Sequence, residues 1–266
     1  MIAYIDWNIA PEIFSIGSRE VRWYGLLFAA SFFFGYLLMG RFFKMAKRSE
    51  NELDRLATYM LLGTIIGARF GHIFFYEPAY YLAQPIKMLY IWEGGLASHG
   101  AAVGILSALG IFAYREKLNY FWVTDRIAIV VALAGFFIRM GNLMNSEIFG
   151  HVTDLPWGFK FYRAFAPGTE VLPHHPTQIY EAVSYLLIFA YLIWFFYKKE
   201  GKPATAYLTG VFMIGIWGIR FIIEFLKENQ VDFEANMTLN MGQWLSIPLV
   251  LFGVYLVSYS LKHQSK

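Results

Sequence analysis

Residues 121–142 read FWVTDRIAIVVALAGFFIRMGN. From Ile127 to Ile138 no side chain is polar, and arginines bracket the run. One helix crosses the roughly 30 Å of bilayer hydrocarbon with about 20 apolar residues, so this stretch suffices for a crossing. Working outward, comparable stretches occur at 21–41, 56–76 and 94–114 before it, and at 179–197, 206–226 and 244–261 after it. Composition agrees: the 266 residues are 58% hydrophobic and 20% aromatic, and only 15% are charged. Soluble domains carry about 25% charged residues. The mean hydropathy of +0.45 points the same way. The expected fold is an all-α integral membrane protein of seven transmembrane helices. Residues 1–266 form a single polytopic membrane domain, with no soluble module large enough to fold alone. Two connectors, 77–93 and 143–178, are too long for tight turns and too polar to span. Pro156, Pro167, Pro173 and Pro176 punctuate the second, which reads as an irregular cap.

The net charge of +3 is too small to argue for nucleic acid. The chain has no cysteine, which excludes disulfides, thiolate metal sites and a cysteine nucleophile; any thiol in the chemistry arrives with a substrate. The N-terminal MIAYIDWNIAPEIF lacks a basic region and a small-residue cleavage site, and does not read as a removable signal peptide. Orientation follows from the basic residues outside the spans, because cytoplasmic loops carry the excess. One side holds Arg41, Lys44, Lys47, Arg48, Arg55, Arg115, Lys117, Lys198, Lys199, Lys202, Lys262 and Lys266, twelve in all; the other holds Arg19, Arg22, Lys87, Lys160, Arg163 and Lys227. The first side is expected inside, with the C-terminus; the N-terminus and the cap are expected outside. Gly63, Gly67 and Gly71 form a small-residue stripe suited to close helix packing.

Four arginines remain, and all lie inside spans: Arg69, Arg126, Arg139 and Arg220. An ionised group at that depth is costly, so it faces the bundle interior and marks function by default. Arg69, Arg139 and Arg220 fall toward the outer ends of their spans. Tyr24, His99 and Glu181 begin spans on that side, and Glu224 follows Arg220 by one turn. Six spans thus send a polar group to one level. Arg220 and Glu224, at i and i+4, also suit a plain structural pair. Arg126, beside Asp125 at the other end, reads as an interfacial anchor, and His72 as a satisfied core histidine. Arginine presents a rigid fork of donors suited to phosphate, and a histidine adds a proton acceptor that titrates near neutral pH. An anionic lipid headgroup fits that set, with Arg69 among its binders. Phosphate clamp plus base suggests group transfer from a phospholipid.

Several motifs then resemble one family in order along the chain. Trp92-Glu93-Gly94-Gly95-Leu96-Ala97-Ser98-His99-Gly100 resembles the W-x-G-G-x-x-x-H-G segment of the prolipoprotein diacylglyceryl transferases. Arg139-Met140-Gly141-Asn142-Leu143-Met144-Asn145-Ser146-Glu147-Ile148-Phe149-Gly150 resembles the family signature R-x-G-N-x-x-N-x-E-x-x-G. Arg22-Trp23-Tyr24-Gly25, Gly67-Ala68-Arg69, Thr153 to Gly158, His175 to Glu181, Arg220 to Glu224 and Met241-Gly242-Gln243 are similar to further family motifs, so the resemblance runs from about 20 to 260. Four positions depart from the pattern. Ile216 stands where the family has a tyrosine and supplies no hydroxyl there. Ala101 replaces a second glycine, and His151 and His174 stand where arginine is common, which weakens a basic rim.

The resemblance implies a multi-pass enzyme of the bacterial inner membrane with a periplasmic cap. It implies transfer of the diacylglyceryl group of phosphatidylglycerol to the lipobox cysteine of a preprolipoprotein signal peptide, giving a thioether and glycerol phosphate. No cofactor and no metal are implied, and no nucleic acid. Carried over by position, the functional residues are Tyr24, His99, Arg139, Asn142, Glu147, Gly150, Arg220 and Glu224. His99 is expected to take the thiol proton, and Arg139 and Arg220 to hold the phosphate. Glu147 and Glu224 are expected to orient those arginines, Asn142 to bond the headgroup and Tyr24 to line the site. The competing class is a transporter or channel for an anionic lipid or solute. It would place its charges near the midplane, and it would favour an internal repeat that this chain lacks.

Overall fold

All seven apolar stretches form α-helices in the computed structural model, which describes residues 4–17, 19–228 and 237–264. The helices are α1 (Trp23–Met45), α2 (Glu50–Phe75), α4 (Ser98–Arg115), α5 (Tyr120–Met144), α6 (Thr177–Lys198), α7 (Tyr207–Ile223) and α8 (Met241–Gln264), with a short α3 (Pro78–Ala83) in the connector after α2. Among the described residues six are long and apolar enough to cross a membrane: α1, α2, α5, α6, α7 with the 3₁₀ turn that extends it to Leu226, and α8. The chain is a multi-pass helical protein on that count. Large apolar side chains such as Phe33, Phe74, Leu187 and Leu251 stand exposed along these helices, as lipid-facing surfaces require. The expected third span begins later than its hydropathy suggests. Gly94 and Gly95 have φ of +89° and +71°, a backbone that glycine adopts freely, and the helix starts only at Ser98. Its 18 residues are long enough but, with Ser98 and His99 at one end and Arg115 at the other, not apolar enough to join the six.

Two compact units make up the chain, residues 1–38 with 125–266, and residues 39–124. In the second unit, Ser49 caps α2 reciprocally with Glu52, which starts that helix ahead of its apolar window. α2 and α4 meet along glycine. A Cβ on Gly67 would meet the Gly100 carbonyl and lie 2.8 Å from the Gly104 Cα, and one on Gly63 would lie 2.7 Å from the Ala108 Cβ. The stripe on α2 therefore packs helices, as its spacing suggests, against a matching stripe on α4.

In the first unit, α7 and α8 approach through Gly210 and Gly253, each of which would place a Cβ 2.8 Å from the other's carbonyl. Asp125 and Arg126 correct the reading of an interfacial anchor, because both are buried. Asp125 accepts from the Ala206 and Thr209 amides at 2.9 and 2.8 Å, capping α7 from α5. Arg126 donates to the Gly201 carbonyl at 2.8 Å, just past the end of α6. The signs suit the ends of the two helix dipoles. Four short strands also form among the described residues. β1 (Ile5–Trp7) pairs in parallel with β4 (Phe159–Phe161), while β2 (Glu12–Ile16) and β3 (Arg19–Arg22) make a hairpin. Leu143, Phe159 and Phe161 form the core of the cap, with Trp7, Met140, Phe149 and Ile179 against it. The N-terminal segment is thus part of the cap. His174 is buried there against Phe149 and Phe165, so it is core rather than rim; His151 is exposed.

Candidate functional site

Arg139 lies in the last turns of α5, with its side chain 13% exposed. Its Nε faces the Glu181 Oε2 at 2.8 Å, and Nη1 donates to the Asn142 Oδ1 at 3.1 Å. Asn142 passes the interaction on, donating from Nδ2 to the Glu147 Oε1 at 2.8 Å, where Asn145 also donates at 3.2 Å. Two expectations change here. The carboxylate on Arg139 is Glu181, and Glu147 reaches that arginine only through Asn142. Both ends of the Asn142 amide bond protein groups, so its geometry is that of a spacer between Arg139 and Glu147.

Beyond α5 the chain reverses through Ser146 and Ile148, with φ of +52° and +60°. A β-branched residue in the left-handed region costs about 1–3 kcal/mol and persists only where its surroundings enforce it. Thr177 and Gln178, both fully buried at the start of α6, supply that enforcement. They donate to the Ile148 and Glu147 carbonyls at 2.9 and 2.7 Å. The turn then reaches Gly150, whose amide donates to the His175 carbonyl. A Cβ there would collide with the Leu226 carbonyl and lie 2.8 Å from the Thr177 Cγ2. Without one, Gly150 bridges Lys227 in antiparallel fashion.

The second arginine, Arg220, ends α7. Its Nε stands 3.4 Å from the Glu224 Oε1. Glu224 is buried, and its Oε2 accepts from the Asn240 Nδ2 at 3.1 Å. Gly242 makes room for it, since a Cβ there would lie 2.6 Å from the Glu224 Cδ. Lys227 joins the two arms. Its ammonium, 1% exposed, donates to the Glu181 Oε1 at 3.0 Å and the Glu224 Oε1 at 3.1 Å. The series Arg139, Glu181, Lys227, Glu224, Arg220 is therefore continuous. Tyr24 packs its ring on Gly141, where a Cβ would be 2.8 Å from the Tyr24 Cδ2. Ile216, one turn before Arg220, has no hydroxyl to offer. Tyr185 brings one to the cluster from α6, donating to the Glu181 Oε1 at 3.3 Å.

His99 and Arg69 belong to the other unit. His99 is in the first turn of α4, exposed, with the Phe75 and Tyr76 rings 5.3 and 5.8 Å away between centroids. Neither of its ring nitrogens has a hydrogen-bonding partner among the described residues. Arg69 is buried. It donates to the carbonyls of Lys87, Met88, Gly94 and Gly95 and lies 4.8 Å from the Tyr81 ring centroid. In that geometry Arg69 braces the connector that leads to His99. His72 is half-buried, stacks on Tyr76 and faces Glu77 at 3.7 Å, beyond hydrogen-bond distance.

Two residues of the arginine cluster were not legible as such. Glu181 was placed at the level of the arginines but with no partner assigned, and Lys227 stood among the outer basic residues. The available signal was the spacing Arg220, Glu224, Lys227 at i, i+4 and i+7, which puts all three on one helical face.

The sequence model of the prolipoprotein diacylglyceryl transferase family matches residues 11–259. A phosphatidylglycerol--prolipoprotein diacylglyceryl transferase of Tolumonas auensis is 46% identical over 261 residues, covering 98% of this chain and 99% of the relative. Proteins of the same name from Chloroherpeton thalassium and Porphyromonas gingivalis are 43% and 42% identical, each covering 98% of this chain and 96% of the relative.

Proposed function

The chain belongs to the prolipoprotein diacylglyceryl transferase family, and from that premise we propose that it moves the diacylglyceryl group of phosphatidylglycerol onto the lipobox cysteine of a preprolipoprotein. The observation that carries this reading is the pair of arginines, Arg139 and Arg220, held by buried carboxylates that a single buried lysine joins. The Nη groups of Arg220 have no hydrogen-bonding partner among the described residues and can take phosphate oxygens. In the reaction the cysteine sulfur attacks the glycerol carbon that bears the phosphate ester. A carbon–sulfur bond forms, the carbon–oxygen bond breaks, and glycerol phosphate leaves with the electron pair. The arginines neutralise charge on the departing phosphate. The thiol, with a pKa near ~8.5 in water, must first lose its proton, and His99 is the proton acceptor in this reading. The transporter reading gives way to the family membership.

We further propose that α4 crosses the membrane as the seventh span. At 1.5 Å per residue it is about 27 Å long, close to the hydrocarbon thickness. The N-terminus then lies outside and the C-terminus inside, in a bacterial inner membrane, and the chain acts as one membrane domain.

The test uses purified protein, phosphatidylglycerol and a lipobox peptide, scored for thioether product. Wild type should form it and release one glycerol phosphate per thioether. Arg139→Lys should not, because an ammonium lacks the fork that meets Glu181, Asn142 and phosphate together. Absence of thioether from well-folded wild type refutes the transferase reading; near wild-type activity in Arg139→Lys refutes the clamp.

A further inference from the structure

We infer that Lys227 is a positioning residue for the anion site, and that Gly150 acts through it. The inference rests on the proposed phosphate clamp and assigns a role to a residue that no motif singled out. Lys227 is almost fully buried, as are the two carboxylates it joins. A lone buried ammonium is costly, and one shared between two carboxylates is stable only with good geometry on both sides. Here the two contacts differ by 0.1 Å, at 3.0 Å to Glu181 and 3.1 Å to Glu224. Each carboxylate also serves an arginine: Glu181 faces Arg139, and Glu224 faces Arg220. The ammonium therefore fixes the separation of the two carboxylates and, through them, of the two guanidinium groups.

Charge balance gives Lys227 a second effect. Arg139, Arg220 and Lys227 stand against Glu147, Glu181 and Glu224. With the lysine present these groups cancel, and an added phosphate meets guanidinium donors against a neutral background. Without it the cluster carries an excess negative charge at low dielectric, which repels the same phosphate.

Lys227 holds its place through the backbone. The His151 amide donates to the Leu226 carbonyl at 2.8 Å, and Gly150 pairs with Lys227. That pairing is possible because position 150 carries no side chain, since any Cβ would strike the Leu226 carbonyl. Gly150 thus needs no contact with lipid to matter to lipid binding.

Wild type, Lys227→Arg and Lys227→Met, each checked for folding by melting in detergent, are compared for binding of phosphatidylglycerol and diacylglycerol and for transfer. Lys227→Met should lose phosphatidylglycerol affinity by roughly 30-fold or more, the scale for truncating one partner of a buried charge pair. Its binding of diacylglycerol, which lacks the phosphate, should not change, and KM for phosphatidylglycerol should move more than kcat. Lys227→Arg keeps the charge and should restore most of the affinity. In a Lys227→Met background, Gly150→Ala should add little further loss of affinity, because the two changes share one route. Wild-type phosphatidylglycerol affinity in folded Lys227→Met overturns the inference. If Lys227→Met does not fold, Lys227→Arg decides: a folded Lys227→Arg protein without the preference for phosphatidylglycerol overturns it too, as does a wild type that lacks that preference. A wild type that binds phosphatidylglycerol selectively but transfers nothing defeats the transferase reading alone.

Discussion

His99 separates a base from a binder. Its ring is exposed beside Phe75 and Tyr76, with both nitrogens free of protein partners among the described residues, as a group that must accept a substrate's proton requires. Glutamine at 99 keeps hydrogen-bonding capacity but cannot take a proton near neutral pH. His99→Gln is expected to bind phosphatidylglycerol like wild type and to transfer roughly 10²–10⁴-fold more slowly, the usual worth of a general base. Raising the pH should recover part of the rate, because hydroxide then supplies the thiolate. Lost lipid binding without pH rescue would assign His99 to structure, and normal transfer would remove it as the base. His99 was legible from its glycine-rich segment. The partners of Arg69 were not legible, because the sequence shows a charge at depth and not the backbone carbonyls of residues 87–95 that meet it.

Glycine seams decide how closely helices approach, and they can be tested against glycines that meet nothing. A Cβ at Gly67 would press on backbone of α4, which cannot rotate away as a side chain can. Gly67→Ala should destabilise the protein by about 1–3 kcal/mol, the usual cost of overpacking. Gly218 lies on α7 with nothing within 4 Å of a built Cβ. Gly218→Ala should be neutral or stabilising by up to about 1 kcal/mol, from helix propensity. Thermal melting of the two variants in detergent checks both signs; equal melting temperatures would show that the α2–α4 contact is looser than the structure has it. The stripe on α2 was legible from its spacing of four. Its partners Gly100 and Gly104 were not, because spacing on one helix does not say which helix it meets.

Topology belongs to the whole chain, and α4 is where it is decided. Twelve basic residues against six predict that the N-terminus is outside and the C-terminus inside. Reporter fusions after residues 85, 117, 165, 200 and 262 should read out, in, out, in and in. The fusions at 85 and 117 together test the crossing by α4: opposite sides require it, and readings on the same side leave the six spans that length and apolarity support. A cytoplasmic reading at 165 would sink the arrangement altogether. The prediction draws on loop charges spread along the chain, including Lys266, which lies outside the described residues.

Hydropathy alone determined that the chain is helical and membrane-bound, and where its long helices run, because an apolar stretch of sufficient length has only one low-energy way to satisfy its backbone in lipid. The local motifs determined the family and singled out Arg139, Arg220 and His99. Tertiary structure decided the pairings: Glu181 rather than Glu147 on Arg139, Asp125 capping a helix that begins some eighty residues later, and an N-terminal strand completing the cap. It also decided that Lys227, which sequence places among the outer basic residues, is buried between two carboxylates. The physical reason is that the free energy of a buried charge depends on which opposite charges stand within about 4 Å of it. Those neighbours come from helices far apart in sequence, so only the packed chain brings them together.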